Sequence, residues 1–317
     1  MAEQKKPFII FDTDMDTDCD DAGALALMFE YVKREKAELL GIICDSAEAA
    51  APGCCELLCN YYGISRPIGT VYGSAYPPAE TDRYVRYRAH RDTLPESIYY
   101  NRVMSRLAGR TDEDYPDAAR TYRALLAYAP DKSVTVVAIG FMTALENLFA
   151  TKGDDLSELD GIALFEKKVE KVVSMGCATY PRTDNYNFNY NMDRVGAKAF
   201  FDNCPVPIYV CPVGAEVITG SSFTSELEKG HPLRTVYEIY NGENRGRSSW
   251  DLVSLLWALE PENPAFYTES HGTVRYDDSC NEVYWQEDGP RSDYELLTCI
   301  PDADMAKLLD EKLLGRF

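Results

Sequence analysis

The sequence predicts an α/β fold: an open, mostly parallel sheet flanked by helices and gathered in a single domain. Three observations carry the prediction. Apolar runs at 8–11, 38–44, 133–139, 169–175 and 207–211 show little alternation, the pattern of strands buried on both faces. Segments of helical periodicity separate these runs, and strands alternating with helices build parallel sheets. The 317 residues contain no internal repeat, low-complexity stretch or convincing linker, so one large core is expected over 1–317.

Phe8-Ile9-Ile10-Phe11 is the first strand, and residues 22–31 read as the helix behind it. A strand at 38–44, a helix at 52–62 and a short strand at 68–72 follow. Residues 73–115 are rich in Tyr, Arg and Pro with weak periodicity, and read as an inserted loop region with one helix. Next come a helix at 117–128 and the clearest buried strand of the chain, 133–139, Ser-Val-Thr-Val-Val-Ala-Ile. A helix at 141–150 and a strand at 169–175 lead to a loop at 176–191 crowded with Asn, Tyr and Asp. A helix at 193–201 and a strand at 207–211 close this alternation. Beyond residue 212 helical patterning dominates, above all at 248–259, where Leu252, Leu255, Leu256 and Leu259 share one face. β-prone residues from Phe266 to Trp285, interrupted by turn residues, predict a late hairpin over 266–286.

The chemistry concentrates between residues 12 and 21, where Asp12, Asp14, Asp16, Asp18, Asp20 and Asp21 follow the first strand directly. The end of a strand before a helix is where open α/β sheets keep their ligand sites. Two unit charges about 4 Å apart repel by about 4 kcal/mol at an effective dielectric near 20. Either several of these acids stay protonated or a cation neutralises them, and the all-oxygen donor set favours a hard cation, calcium above all. The helix dipole stabilises acids at a helix start, which accounts for one or two of them but not for six.

Composition narrows the function. The formal net charge of -20, with no Lys/Arg-dense stretch, argues against nucleic-acid binding. Residues 1–6 are polar and no run reaches the length of a membrane span, so no membrane partner and a cytoplasmic location are expected. The ten cysteines include no CxxC pair and read as reduced thiols, with Cys54, Cys55 and Cys59 packed in a helix. His90, His231 and His271 fall in no ligand-like spacing, which speaks against histidine-based zinc chemistry.

Two motif readings of the Asp run fail on spacing. An EF-hand loop starting at Asp14 meets Cys19 where Gly is needed and Leu25 where Glu is needed. Haloacid dehalogenase-type phosphotransferases carry Asp-x-Asp-x-Thr after an apolar strand, and the threonine is missing in both possible frames. That phosphatase-like reading is the weakest alternative.

The frame Ile9-Ile10-Phe11-Asp12-Thr13-Asp14, with Asp20-Asp21-Ala22 behind it, resembles the N-terminal signature of the inosine–uridine nucleoside hydrolase family, Asp-x-Asp-Pro-Gly-x-Asp-Asp-Ala. Here Met15 to Cys19 replace the shorter Pro-Gly-x. The resemblance covers most of the chain. Val136 to Thr143 is similar to that family's strand and Gly-Pro-Leu-Thr turn, and Val172 to Gly176 to its Met-Gly-Gly strand end. Phe188 to Asp193 is similar to its Glu-Phe-Asn-x-x-x-Asp segment, and Ser249-Trp250-Asp251 falls where a His-Asp or Trp-Asp pair stands.

The resemblance implies a Rossmann-like sheet of the nucleoside hydrolase type and a calcium-dependent enzyme that cleaves N-ribosides to free base and ribose. It implies Asp14, Asp21 and Asp251 as side-chain ligands of the ion, the Ile139 carbonyl as a fourth, and Asp20 as general base. Asn189 would hydrogen-bond a ribose hydroxyl. Trp250 stands where the purine-preferring branch stacks a Trp on the base, although a buried packing role fits the helix pattern equally. Tyr72 and Tyr76 could supply the opposite face, with surface or packing roles as the plainer reading. Asn187 replaces a Glu that grips the sugar's 5′ end, Glu48 or Asp45 falls near a usual Asn, and Asn185 is the best substitute for a Gly-Asn pair. Asp16 and Asp18 have no counterpart in the short signature. These departures leave open a calcium-bearing ribose- or nucleoside-binding protein without catalysis. The expected partner is a small nucleoside or riboside, and related enzymes suggest a homodimer or homotetramer.

Overall fold

The computed structural model describes residues 6–16, 18–72, 86–87, 89–90, 92–95, 99–108, 115–176, 187–280 and 282–317. Among them the strands are β1 (Phe8–Thr13), β2 (Glu38–Cys44), β3 (Ile68–Thr70), β4 (Val134–Ala138), β5 (Val169–Met175) and β6 (Ile208–Cys211). β7 (Ile218–Thr219), β8 (Arg247–Ser248), β9 (Phe266–Asp277), β10 (Glu282–Gln286) and β11 (Asp293–Thr298) complete the set. Nine of these strands form one sheet in the order β10-β9-β11-β6-β5-β4-β1-β2-β3, and β7 pairs with β8 apart from it. Every neighbouring pair from β3 to β11 is parallel. β9 runs antiparallel to both β11 and β10, so the late hairpin forms as expected.

Helices cover both faces, which is why the first strands lack polar residues in their middles. Alternate residues of β1 point to opposite sides. Ile9 and Phe11 join a core built on the Asp20–Lys33, Ala51–Tyr62 and Trp250–Leu259 helices, with Leu25, Leu58, Leu252 and Leu256 fully buried. Ile10 joins the opposite core with Tyr122, Leu145 and Phe200, from the Ala118–Tyr128, Thr143–Ala150 and Arg194–Asn203 helices. Each fully buried side chain of this size contributes roughly 1.5–3 kcal/mol.

The observed boundaries depart from the sequence pattern for local reasons. The first helix begins at Asp20, two residues before the apolar stretch, because Asp20 and Asp21 occupy its dipole-favoured first turn. β3 ends at Thr70, whose hydroxyl accepts the Tyr72 backbone N–H at 3.1 Å and turns the chain away. The helix expected from residue 141 starts at Thr143, since Phe141 N–H donates to Asp45 Oδ1 at 2.9 Å instead. The Tyr100–Ala108 helix lies in the inserted region, and the Phe188–Met192 helix at the end of the Asn-rich loop. The Gly161–Lys168 helix and β11 were not anticipated, while the Asp302–Leu313 helix falls in the tract beyond 212 where helical patterning was expected.

The order 3-2-1-4-5-6 reverses between β1 and β4. At such a reversal the connecting helices leave toward opposite faces and open a crevice beyond the strands' carboxyl ends. Residues directly after β1 and β4 therefore border the crevice, and these are Asp14 and Ile139.

Candidate active site

A cavity of about 500 Å³ opens there, ordinary in size for a small-molecule site. Asp14, Asp18, Asp20, Asp21 and Asp251 line it, with Ile139, Asn187, Asn189 and Trp250. Of the residues singled out in the sequence, these come together. Glu48 does not: it lies off the cavity wall, accepting from Ala50 N–H at 3.2 Å and pairing with Arg102 at 3.2 Å. Tyr72 is 38% exposed and also outside the lining. Tyr76 and Asn185 lie outside the described residues.

The acidic loop is shaped by its own backbone. Met15 adopts φ 42°, in the left-handed region, which costs a side-chain-bearing residue roughly 1–2 kcal/mol. Neighbours hold it there. Its carbonyl accepts from Asn101 Nδ2 at 2.9 Å, its N–H donates to Thr13 Oγ1 at 3.1 Å, and its side chain is fully buried. The Thr13 hydroxyl in turn donates to Asp21 Oδ1. Gly140 makes the close approach from β4: a Cβ there would lie 2.2 Å from Asp14 N and 2.4 Å from Asp45 Oδ2.

Asp251 arrives from the far end of the chain on the first turn of the Trp250–Leu259 helix. Its N–H donates to Asp20 Oδ2 at 3.2 Å, tying that helix to the Asp20–Lys33 helix. Asn189 Nδ2 donates to the Ile139 carbonyl at 2.7 Å and so joins the Phe188–Met192 helix to the end of β4. Beneath the site Asp12 accepts from the Tyr122 hydroxyl and lies against Asp45, both fully buried.

So much buried like charge leaves its mark on proton affinity. Burial, then the charges of Asp21 and Asp16, hold Asp14 well above the usual carboxylate range. Burial and Asp18 do the same to Asp20. Burial and then Asp20, Asp21, Asp18 and Asp14 raise Asp251. Asp21 is pushed up to about 7, chiefly by burial, with the Thr13 hydroxyl opposing. A dication among these oxygens would reverse each of those shifts.

The residues fit a hard cation. Carboxylate oxygens of Asp18, Asp20 and Asp21 lie within 4.8 Å of one another, close enough to share an ion. Of the expected ligands only Asp21 belongs to this trio, while Asp14, Asp251 and Ile139 line the same cavity. Oδ1 of Asp251 is buried and meets no hydrogen-bond donor among the described residues, which is costly unless something else satisfies it. The donors are all oxygen, the preference of calcium and magnesium.

The sequence reading missed Arg247 and left the roles of Asp18 and Asp16 undecided. Asp18 is drawn to the wall by Arg247, whose Nε donates to its Oδ2 at 3.0 Å. Arg247 lies over the rings of Trp250 and Tyr240, at 5.2 and 5.4 Å from their centroids. Its only signal in the sequence is its place four residues before Asp251. Asp16 is buried and faces the acid cluster rather than solvent.

The profile of the inosine-uridine preferring nucleoside hydrolase family matches residues 9–289, and the chain belongs to that family. It is by class an N-ribohydrolase, acting on the N-glycosidic bond of nucleosides. Among curated proteins, none matches the sequence. The inosine-uridine preferring nucleoside hydrolase from Bacillus anthracis superposes with a TM-score of 0.66 at 14% identity, covering 99% of this chain and 100% of that one. The purine-preferring ribonucleoside hydrolase from Gardnerella vaginalis gives 0.67 at 13% identity, over 98% and 99%. The type III effector protein XopQ, complexed with adenosine diphosphate ribose, gives 0.69 at 14% identity, over 99% and 94%. These likenesses establish the fold, a mostly parallel sheet flanked by helices.

Proposed function

We propose that this protein is a calcium-dependent hydrolase of ribonucleosides, with purine nucleosides favoured. The observation that carries the proposal is the meeting of Asp14, Asp20 and Asp21 with Asp251 around one cavity, 230 to 237 residues apart in sequence. We assign Asp14, Asp21, Asp251 and the Ile139 carbonyl as ligands of the ion. When bound, calcium supplies Lewis acidity toward water and the vicinal hydroxyls of the sugar. Asp20 borders the same space and takes the proton of the attacking water as general base. The remaining carboxylates stabilise the positive charge that develops on the sugar ring as the glycosidic bond breaks.

Asn189, fixed by its bond to the Ile139 carbonyl, presents its amide oxygen to a ribose hydroxyl. Asn187 is 4% exposed and supplies a neutral contact toward the 5′ end. Trp250 offers a ring to the base, which supports the purine preference. The free described cysteines suit a reducing compartment, and we assign the enzyme to the cytoplasm, as a homodimer or homotetramer.

Release of reducing sugar from inosine, guanosine, adenosine and uridine with calcium present tests the reading. Asp20→Asn is expected to abolish turnover while calcium binding, followed by calorimetry, survives. A broad nucleoside panel without turnover at high enzyme concentration would defeat it. Ribose or nucleoside binding without turnover would instead support a non-catalytic binding protein, the reading that Asn187 favours.

A further inference from the structure

Hydrolysis of an N-glycosidic bond leaves an electron pair on the departing base, and something must stabilise it. No histidine lines the cavity among the described residues. The carboxylates sit where they serve the sugar and the ion. One of the two Asn189 amide N–H groups is committed to the Ile139 carbonyl, and neither carries a charge. Among the described residues of the lining, Arg247 is the one cationic side chain.

We propose that Arg247 is the group that stabilises the leaving base, a refinement that rests on the hydrolase reading above. Three features place it for that task. Its Nε and Nη2 engage Asp18, while Nη1 makes no hydrogen bond among the described residues and keeps two N–H donors available. Its guanidinium lies against Trp250, the ring assigned to the base, and against Tyr240. Its backbone is fixed: Arg247 pairs with Thr219 in the β7–β8 ladder, and a Cβ on Gly246 would lie 2.5 Å from the Thr219 carbonyl. Asp18, whose oxygen lies within 4.8 Å of those of Asp20 and Asp21, holds the guanidinium one ion pair from the catalytic carboxylates. Asp18 is thus a positioning residue, which explains an acid with no counterpart in the shorter signature.

The step balances simply. The bond between the sugar's anomeric carbon and the base nitrogen breaks, and its electron pair stays on the base. The water oxygen bonds to that carbon, and its proton passes to Asp20. Arg247 hydrogen-bonds the developing anion without surrendering its own proton, since a guanidinium stays protonated. The released base takes its proton from solvent.

The test compares two substrates with wild type, Arg247→Met and Arg247→Lys. Inosine needs help at the leaving group; p-nitrophenyl β-D-riboside releases a stable phenolate and needs little. Loss of an electrophilic donor of this kind costs about a hundredfold in kcat. Arg247→Met is therefore expected to lose about a hundredfold in kcat on inosine but far less on the aryl riboside, with Arg247→Lys between. Calcium titration by calorimetry and a thermal melt establish that each variant is folded. Equal losses on both substrates, or no loss on inosine, would overturn the proposal. A wild-type enzyme inactive on both substrates would instead bring down the hydrolase reading on which it rests.

Discussion

Gly140 illustrates how single residues set the site. A methyl group added there meets backbone and a buried carboxylate rather than a flexible side-chain end. Gly140→Ala is expected to destabilise the fold by about 1–3 kcal/mol, as overpacking does, and to weaken calcium binding by displacing Asp14. Urea unfolding and calorimetry would read the two effects. Asn101 makes a similar case from outside the Asp run. Asn101→Leu would leave the buried Met15 carbonyl without its donor, an expected loss of about 1–3 kcal/mol. That Asp14, Asp20, Asp21, Asp251 and Trp250 would meet at one cavity was legible in the sequence, because their residue types and order resemble a family pattern even where the spacing is longer. Arg247 and Asn101 were not, since one lone arginine or asparagine has no pattern of its own and acts only through a fold contact.

Among the secondary-structure elements, the Ala118–Tyr128 helix does more than cover the sheet. Its Arg123 is 2% exposed and donates to both Asp154 oxygens at 2.8 Å, to Thr151 Oγ1 at 3.0 Å and to the Ser157 carbonyl at 2.9 Å. One side chain thereby organises the connection between the Thr143–Ala150 and Gly161–Lys168 helices. Arg123→Met is expected to cost about 1–3 kcal/mol, since it removes several hydrogen bonds of a buried guanidinium while Asp154, its partner, stays in reach of solvent. The Arg123 guanidinium holds the Asp154 carboxyl well below its ordinary value. That contribution is fully present above the unfolded carboxyl's value of about 4 and is lost as pH falls through the lower folded-state value. The variant should therefore show a flatter acid limb in its stability profile. Most strand and helix segments of the first half were readable from periodicity. β11 was not: its place beside β6 is a pairing across more than eighty residues that no local window contains. The Gly161–Lys168 helix did carry a readable sign, the Asp160 cap that accepts from Ala163 N–H at 2.9 Å.

For the molecule as a whole, the acid cluster ties stability to pH and to the ion. Asp14, Asp20, Asp21 and Asp251 are all held above the value that an unfolded chain retains. Protonation then favours the folded state, so the metal-free protein should gain thermal stability as pH falls from about 8 toward 6. Bound calcium should invert the trend, because protons then compete with the ion. Scanning calorimetry in chelator and in calcium would show opposite slopes, and parallel slopes would count against the ion site. The net charge of -20 adds a general repulsion, and moderate salt should raise the metal-free melting temperature as well.

The bond from Asp251 N–H to Asp20 joins the chain's opening turn to a helix that is made late in the sequence. A cluster assembled from such distant pieces exists only after the intervening strands have docked, so an ion would have little to grip on the way up the folding barrier. Ions added during refolding should leave the forward rate nearly untouched and slow escape from the native state instead. Calcium would then act on this enzyme as a lock turned after the door is shut, visible in stopped-flow traces as a shift of the unfolding limb alone.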